Sequence, residues 1–205
     1  VAPKEVSTIQ AGTTAIDVQG DYAYTTDSYY GLYVVDVSDR SAPRIVGRYD
    51  PDSWANGLAV EGNYVYLANG IEGLRVIDVS DPTAPVEVGS HDTPGYALNV
   101  FVAGGCAYVA DREGGVRVFA IADPSDPQEV GYFVTMYPAE DVCVDGDDIV
   151  VACLGAGFVV LRSSLPSGVG DDPEPAGSSA LELSQNSPNP FLRQTAIHFA
   201  LPSES

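Results

Sequence analysis

The chain has 205 residues, nine of them Lys or Arg and twenty-nine Asp or Glu, for a formal net charge of −20. That length suffices for a sizeable core, and that charge repels phosphate backbones and anionic headgroups, which argues against nucleic acid and membrane surfaces as partners. No run of about 18 apolar residues is present, so no membrane-spanning helix is predicted.

The chain opens at Val1-Ala-Pro, without an initiator Met or a signal peptide, and reads as a piece of a longer protein. Its first element, Pro3-Lys-Glu-Val-Ser7, matches Pro43-Arg-Ile-Val-Gly47 further on. From there two glycine series, Gly20, Gly62, Gly104, Gly146 and Gly31, Gly73, Gly115, Gly157, recur at one constant step of 42 residues. A period of this length marks a stacked or ring-forming supersecondary unit. One unit shows the content of all. Leu58 to Val60 closes at Glu61-Gly62-Asn63, Tyr64 to Leu67 ends at Asn69-Gly70, Leu74 to Val79 stops at Ser80-Asp81-Pro82, and Val86 to Val88 leads into Asp92. Four short β-branched and aromatic runs bounded by Gly, Pro, Asn and Asp predict four antiparallel strands joined by tight turns. Repeated, they predict an all-β fold, a β-propeller with four-stranded antiparallel blades of 42-residue period, four of them visible.

The acidic pairs Asp36/Asp39 and Asp78/Asp81 read as turn builders, with Pro43, Pro85 and Pro127 opening the outer strand of each blade. The three cysteines, Cys106, Cys143 and Cys153, lie in apolar strand-like runs and read as buried free thiols. The fourth unit supplies Val142 to Val144, Ile149 to Cys153 and Phe158 to Leu161 but no outer strand. The N-terminal strand therefore either closes a four-bladed ring on that blade, or the chain is a slice of a larger ring of six to eight blades.

Leu32-Tyr-Val-Val-Asp-Val37, Leu74-Arg-Val-Ile-Asp-Val79 and Val116-Arg-Val-Phe-Ala-Ile121, each running into an Asp-containing turn that ends in Pro, resemble the LVIVD repeat. The resemblance covers residues 1 to about 163 and implies a propeller of the kind found in bacterial and archaeal extracytoplasmic proteins, mostly without assigned activity. The third copy departs at Ala120, and the fourth, Gly157-Phe-Val-Val-Leu-Arg162, lacks the acidic turn. Residues 164–180 are Ser, Gly, Pro and Asp rich and read as a flexible linker. Residues 181–205, with Gln185-Asn-Ser-Pro-Asn-Pro-Phe191, Thr195 and alternating Ile197, Phe199 and Leu201, resemble the start of the C-terminal sorting domain of type IX secretion and its FlgD-like immunoglobulin relatives. That resemblance implies a partial β-sandwich tail, an extracellular or outer-membrane-surface location, and the secretion machinery as a partner.

Catalytic signatures are sparse. His91, on an outer strand, and His198, in the tail, are far apart in the chain, and no nucleophile elbow, zinc helix or phosphate loop is found. Asp145-Gly-Asp-Asp148 resembles half a calcium loop but lacks the spaced ligands and terminal Glu, so a hairpin turn is expected, with calcium only a weak option and no other cofactor. Function is expected on the face formed by loops entering each inner strand and loops joining the second and third strands. Those loops gather Trp54, Asn56, Tyr29, Tyr30, Tyr96, Tyr137, Asp27, Asn69, Asp111, Arg112, Glu140 and Asp141 as candidate ligand-binding residues. Exposed rings on loops suit a carbohydrate or a protein or peptide ligand. The leading expectation is a secreted, non-enzymatic binding or scaffold module, part of a larger protein. The rivals are an extracellular hydrolase or lyase working through Asp27, Asp111, Glu140 and Asp141, and a structural surface-layer or adhesin element.

Overall fold

A computed structural model of the chain describes residues 2–9 and 12–163 and the backbone of residues 195–197. Blade one comprises β1 (Ala15–Gln19), β2 (Tyr22–Asp27), β3 (Gly31–Asp36) and β4 (Arg44–Tyr49), and blade two β5 (Gly57–Glu61), β6 (Tyr64–Ala68), β7 (Leu74–Asp78) and β8 (Val86–His91). Blade three holds β9 (Asn99–Ala103), β10 (Cys106–Ala110), β11 (Val116–Ala120) and β12 (Gln128–Phe133). Blade four holds β13 (Ala139–Asp145), β14 (Asp148–Cys153), β15 (Gly157–Ser163) and the short β16 (Thr195–Ile197). In every sheet the strands lie in chain order and all pairs but one are antiparallel, as the period predicts.

The turn chemistry explains the register. Asp39, Asp81 and Asp123 each accept the backbone N–H two residues on, from Ser41, Thr83 and Ser125, at 2.9 Å. The hydroxyls of the same three residues donate as well and are the main reason those carboxyls titrate below the usual carboxylate range. Asp145 pairs with Asp148 across a hairpin turned by Gly146 at φ 58°. The third and fourth strands of blades one to three share an irregularity, at Val34/Val35, Val76/Ile77 and Val118/Phe119, which sends Val46, Val88 and Val130 into the neighbouring core clusters.

The core lies between blades. Tyr24, Leu32 and Val34 on the leading face of blade one pack against Leu58, Val65, Leu67 and Ile77 on the trailing face of blade two. One period on, Tyr66, Leu74 and Val76 meet Val100, Ala107, Val109 and Phe119, and then Tyr108, Val116 and Val118 meet Val142, Ile149, Val151 and Leu161. The alternation of each strand thus serves two interfaces, and a one-residue slip would exchange them. Inner strands β1, β5, β9 and β13 neighbour one another in turn.

Two expectations need correction. Residues 2–9 form no strand and do not complete blade four; its fourth position is held by Thr195–Ile197, parallel to β15 along Leu161–Ser163. The N-terminal segment lies instead beside blade one, where the Ser7 hydroxyl donates to the Arg40 carbonyl at 2.6 Å. Cys143 is exposed, whereas Cys106 and Cys153 are buried, with burial pushing both thiols up, and all three are free. Cys143 is exposed because it sits on the leading face of the last blade, which nothing among the described residues covers as the next blade covers the equivalent Phe101. Residues 164–194 and 198–205, and with them the linker, His198 and most of the sorting-domain resemblance, lie outside the described residues.

Candidate functional site

The loops at one end of the blades are tied to each other by backbone. Gly70, in the loop after β6, exchanges two hydrogen bonds with Ala97 ahead of β9, at 3.2 and 2.9 Å, and Arg112 does the same with Ala139 at 3.1 and 3.0 Å. These bridges hold the loop of one blade against the loop entering the next, and they fix where the side chains emerge.

What emerges is a row. The rings of Tyr29 and Trp54 lie 6.1 Å apart at 53°, and those of Trp54 and Tyr96 lie 6.4 Å apart, edge to face. The Arg112 guanidinium stands 6.0 Å from the Tyr96 ring centroid, and its Nε is 3.7 Å from Glu140 Oε1. The row therefore runs Tyr29, Trp54, Tyr96, Arg112, Glu140 from blade one to blade four. Trp54 is 54% exposed and Tyr29 78%, so the rings support one another sideways while keeping surface for a partner. Tyr137, Met136, Ile71 and Leu154 are exposed on loops of the same end. Tyr30 turns to the blade edge, where the Arg48 guanidinium lies 5.7 Å from its ring.

The remaining candidates build the loops. Asp27 caps the turn, its Oδ1 accepting from the N–H of Tyr29 at 2.8 Å and of Tyr30 at 3.2 Å. Asn69 and Asp111 occupy the same repeat position and are fully buried. Asn69 donates to Glu72 at 3.0 Å. Asp111 accepts from the Thr93 hydroxyl at 2.5 Å and the Gly95 N–H at 2.9 Å, yet desolvation outweighs both bonds and raises its pKa. Asn56 donates to the Ala97 carbonyl at 2.9 Å, and Asp141 accepts from Asn99, so both join neighbouring blades. Sequence reading gathered the aromatic residues on one face but did not single out Met136, Ile71 and Leu154. The available signal was an apolar residue inside a turn, where packing cannot account for it. No group of three His, Cys, Asp or Glu side chains converges as a metal site among the described residues.

One residue is strained. Arg112, at φ 45°, is the sole non-glycine with positive φ among the described residues, and its equivalent one repeat earlier is Gly70 at φ 55°. Glycine reaches this region freely, while other residues pay roughly 1–2 kcal/mol for it. Arg112 Nε and Glu140 Oε1 are buried and find no hydrogen-bond partner among the described residues.

The LVIVD repeat pattern matches residues 12–51, 54–93 and 94–135, more than half of the chain. The chain belongs to the LVIVD-repeat family. Among solved structures this LVIVD-repeat propeller is similar to the computationally designed Ika8 protein, at 13% identity and a TM-score of 0.62 over 75% of this chain and 46% of that one. It is likewise similar to the designed Ika4 protein, at 12% identity and a TM-score of 0.63 over 79% of this chain and 99% of that one. At these identities the likeness concerns the fold, that of designed propellers. No curated protein matches the chain.

Proposed function

We propose that this LVIVD-repeat propeller is a non-enzymatic recognition module whose loop face takes a protein or peptide ligand. The row from Tyr29 through Trp54 and Tyr96 to Arg112 and Glu140 carries the reading. The rings meet at steep angles rather than forming a flat platform, and the exposed aliphatic and thioether groups of Ile71, Leu154 and Met136 accompany them. That mixture suits apolar side chains of a polypeptide better than the stacked faces of a sugar. A net charge of −20 favours a partner bearing Lys or Arg beside its apolar residues. The carboxylates that a hydrolase would use are engaged otherwise: Asp27 and Asp111 hold turns, Asp141 joins blades and Glu140 faces Arg112. The tail resemblance supports a secreted or surface location, which protease accessibility on intact cells would test.

Trp54 is the single tryptophan of the chain, so its emission reports on this face directly. An array of basic, aromatic-rich peptides screened against the full chain should yield binders that shift that emission and that Trp54→Ala abolishes. Binders that retain affinity in Trp54→Ala, or binding confined to a glycan array, would defeat the reading.

A further inference from the structure

The two ends of the blade series are the two halves of one interface. Ile16 on β1 is the repeat equivalent of Leu58, Val100 and Val142, which are 3–6% exposed, yet Ile16 is 62% exposed. At the other end Phe158 on β15 is the equivalent of Leu32, Leu74 and Val116, all buried, and is 70% exposed. Leu32 and Leu58 belong to a single cluster between blades one and two, so Phe158 and Ile16 are complementary groups left without each other. On the trailing face of blade one Ala23 and Val35 are buried, so the opening lies along its inner strand.

The backbone repeats the same story. The chain at Gly47 of the outer strand in blade one lies against the Pro82 carbonyl of blade two, and that at Gly89 against the Pro124 carbonyl of blade three. Ser7 against the Arg40 carbonyl is the preceding member of that series, since Arg40, Pro82 and Pro124 are successive equivalents. Residues 2–9 thus occupy the outer-strand place of a blade ahead of blade one, with Val6 exposed and no strand among the described residues beside them. Blade four offers the reverse, three full strands and a third-strand edge that no described residue pairs along Gly157–Val160, because β16 pairs only from Leu161.

We propose that two copies of the chain close head to tail into a ring of eight blades. The leading face of blade four, with Cys143, Phe158 and Val160, packs on Ile16 and Val18 of the other copy. The N-terminal segment of that other copy then lies along the free edge of β15. A heterologous contact of this kind closes when the arc spans half a turn. The alignment of this arc with 46% of the Ika8 chain leaves room for a second arc of the same length. The interface is continuous in kind with the three already present inside the chain. Closure would double the loop face and surround it with blades on both sides.

Sedimentation and light scattering of the full chain test this, in about 0.5 M salt so that the mutual repulsion of two −20 chains is screened. The expected species is a dimer in which Cys143 reacts with a thiol reagent far more slowly than in a monomeric variant. Ile16→Lys or Phe158→Glu, each at an exposed site and checked for fold by circular dichroism, should weaken it roughly 100-fold by burying an unpaired charge. Mixing the two variants should restore a dimer, because the two introduced charges, opposite in sign, then meet across one joint while the other joint is native. A monomer at every concentration with freely reactive Cys143, open-ended oligomers, or variants that dimerise like the parent chain would each overturn the proposal.

Discussion

Replacing Gly115 and Gly157 by alanine, one at a time, separates a blade whose outer strand runs beside the glycine from one whose fourth strand pairs only from Leu161. Both glycines have positive φ, 78° and 88°, so each alanine incurs the left-handed penalty of roughly 1–2 kcal/mol, offset by about 0.4–1 from the lower entropy of the unfolded chain. The surroundings differ. A Cβ on Gly115 meets the carbonyl of Phe133, at the end of the outer strand, and lies 2.7 Å from Cα of Val134 just after it, both backbone atoms, whereas a Cβ on Gly157 meets nothing within 4 Å. Backbone cannot rotate aside, so Gly115→Ala must displace β12, at roughly 1–3 kcal/mol more. The expected losses are about 2–4 kcal/mol for Gly115→Ala and about 1 kcal/mol or less for Gly157→Ala. At about 2–4 °C per kcal/mol for a domain of this size, the two melting temperatures should differ by several degrees. Urea unfolding followed by circular dichroism, at dilution low enough to hold the chain monomeric, gives the comparison. Equal losses would refute the argument. In a closed dimer the N-terminal segment would fill the space beside Gly157, so the cost of that substitution should grow with protein concentration.

Two further outcomes follow from buried titratable groups. Thr93→Val removes the hydroxyl that donates to Asp111 and leaves a buried carboxylate oxygen without that partner, at about 1–3 kcal/mol near neutral pH. The folded pKa of Asp111 is already raised, so its favourable contribution belongs to the low-pH side and is lost as pH rises; losing a donor raises it further, and the deficit of the variant should shrink toward pH 4 in urea titrations. A pH-independent deficit would contradict this. Tyr66 and Tyr108, equivalent residues buried between blades, are pushed up to about 12 by desolvation, so the stability they hold below pH 10 is lost as pH climbs toward that value. Tyr66→Phe with Tyr108→Phe should move the alkaline unfolding midpoint upward, and an unmoved midpoint would show that other groups set it.

The fold was legible because each blade must solve the same steric problem. A glycine recurs wherever positive φ meets the backbone of an adjacent strand, and an Asp recurs wherever a turn needs its amides capped. Those demands are local, so they appear as residue identities at fixed spacing. Whether the ring closes is not local. It depends on the angle between blades, which no single residue encodes, and the match of Pro3–Ser7 to an outer strand gave neither the absence of strand pairing there nor the blade that the segment lies beside. Cys143 shows the same gap, since its run is apolar like every other strand, and its exposure comes from lying on a face that no described residue covers. In the loops, residue type told rings from turn caps poorly: Asp27, Asn69 and Asp111 look like ligands, but the Asp27 and Asp111 carboxylates and the Asn69 side-chain NH2 are engaged in holding the loops.

Comparison of the repeats within the chain sharpens the division between scaffold and site. At interface positions the blades keep the same chemistry, Tyr24, Tyr66 and Tyr108, or Val34, Val76 and Val118, because each must fit a neighbour of nearly constant shape. At the loop face the equivalents diverge: Trp54, Tyr96 and Pro138 share one position, Tyr29, Ile71, Glu113 and Gly155 another, and Ser28, Gly70, Arg112 and Leu154 a third. At that third position the backbone in blade three has kept the left-handed geometry that glycine serves, while the residue has become an arginine, placed between the Tyr96 ring and Glu140. Folding alone would favour glycine there. A residue retained against its own backbone preference is most simply explained by what its side chain contacts, and this side chain stands in the exposed row. Arg112→Gly therefore separates the two demands. Relief of roughly 1–2 kcal/mol of strain is opposed by about 0.4–1 from the freer unfolded chain and about 0–1 from the lost ion pair, so stability should move by about 1 kcal/mol or less, while any ligand that Trp54→Ala also releases is weakened.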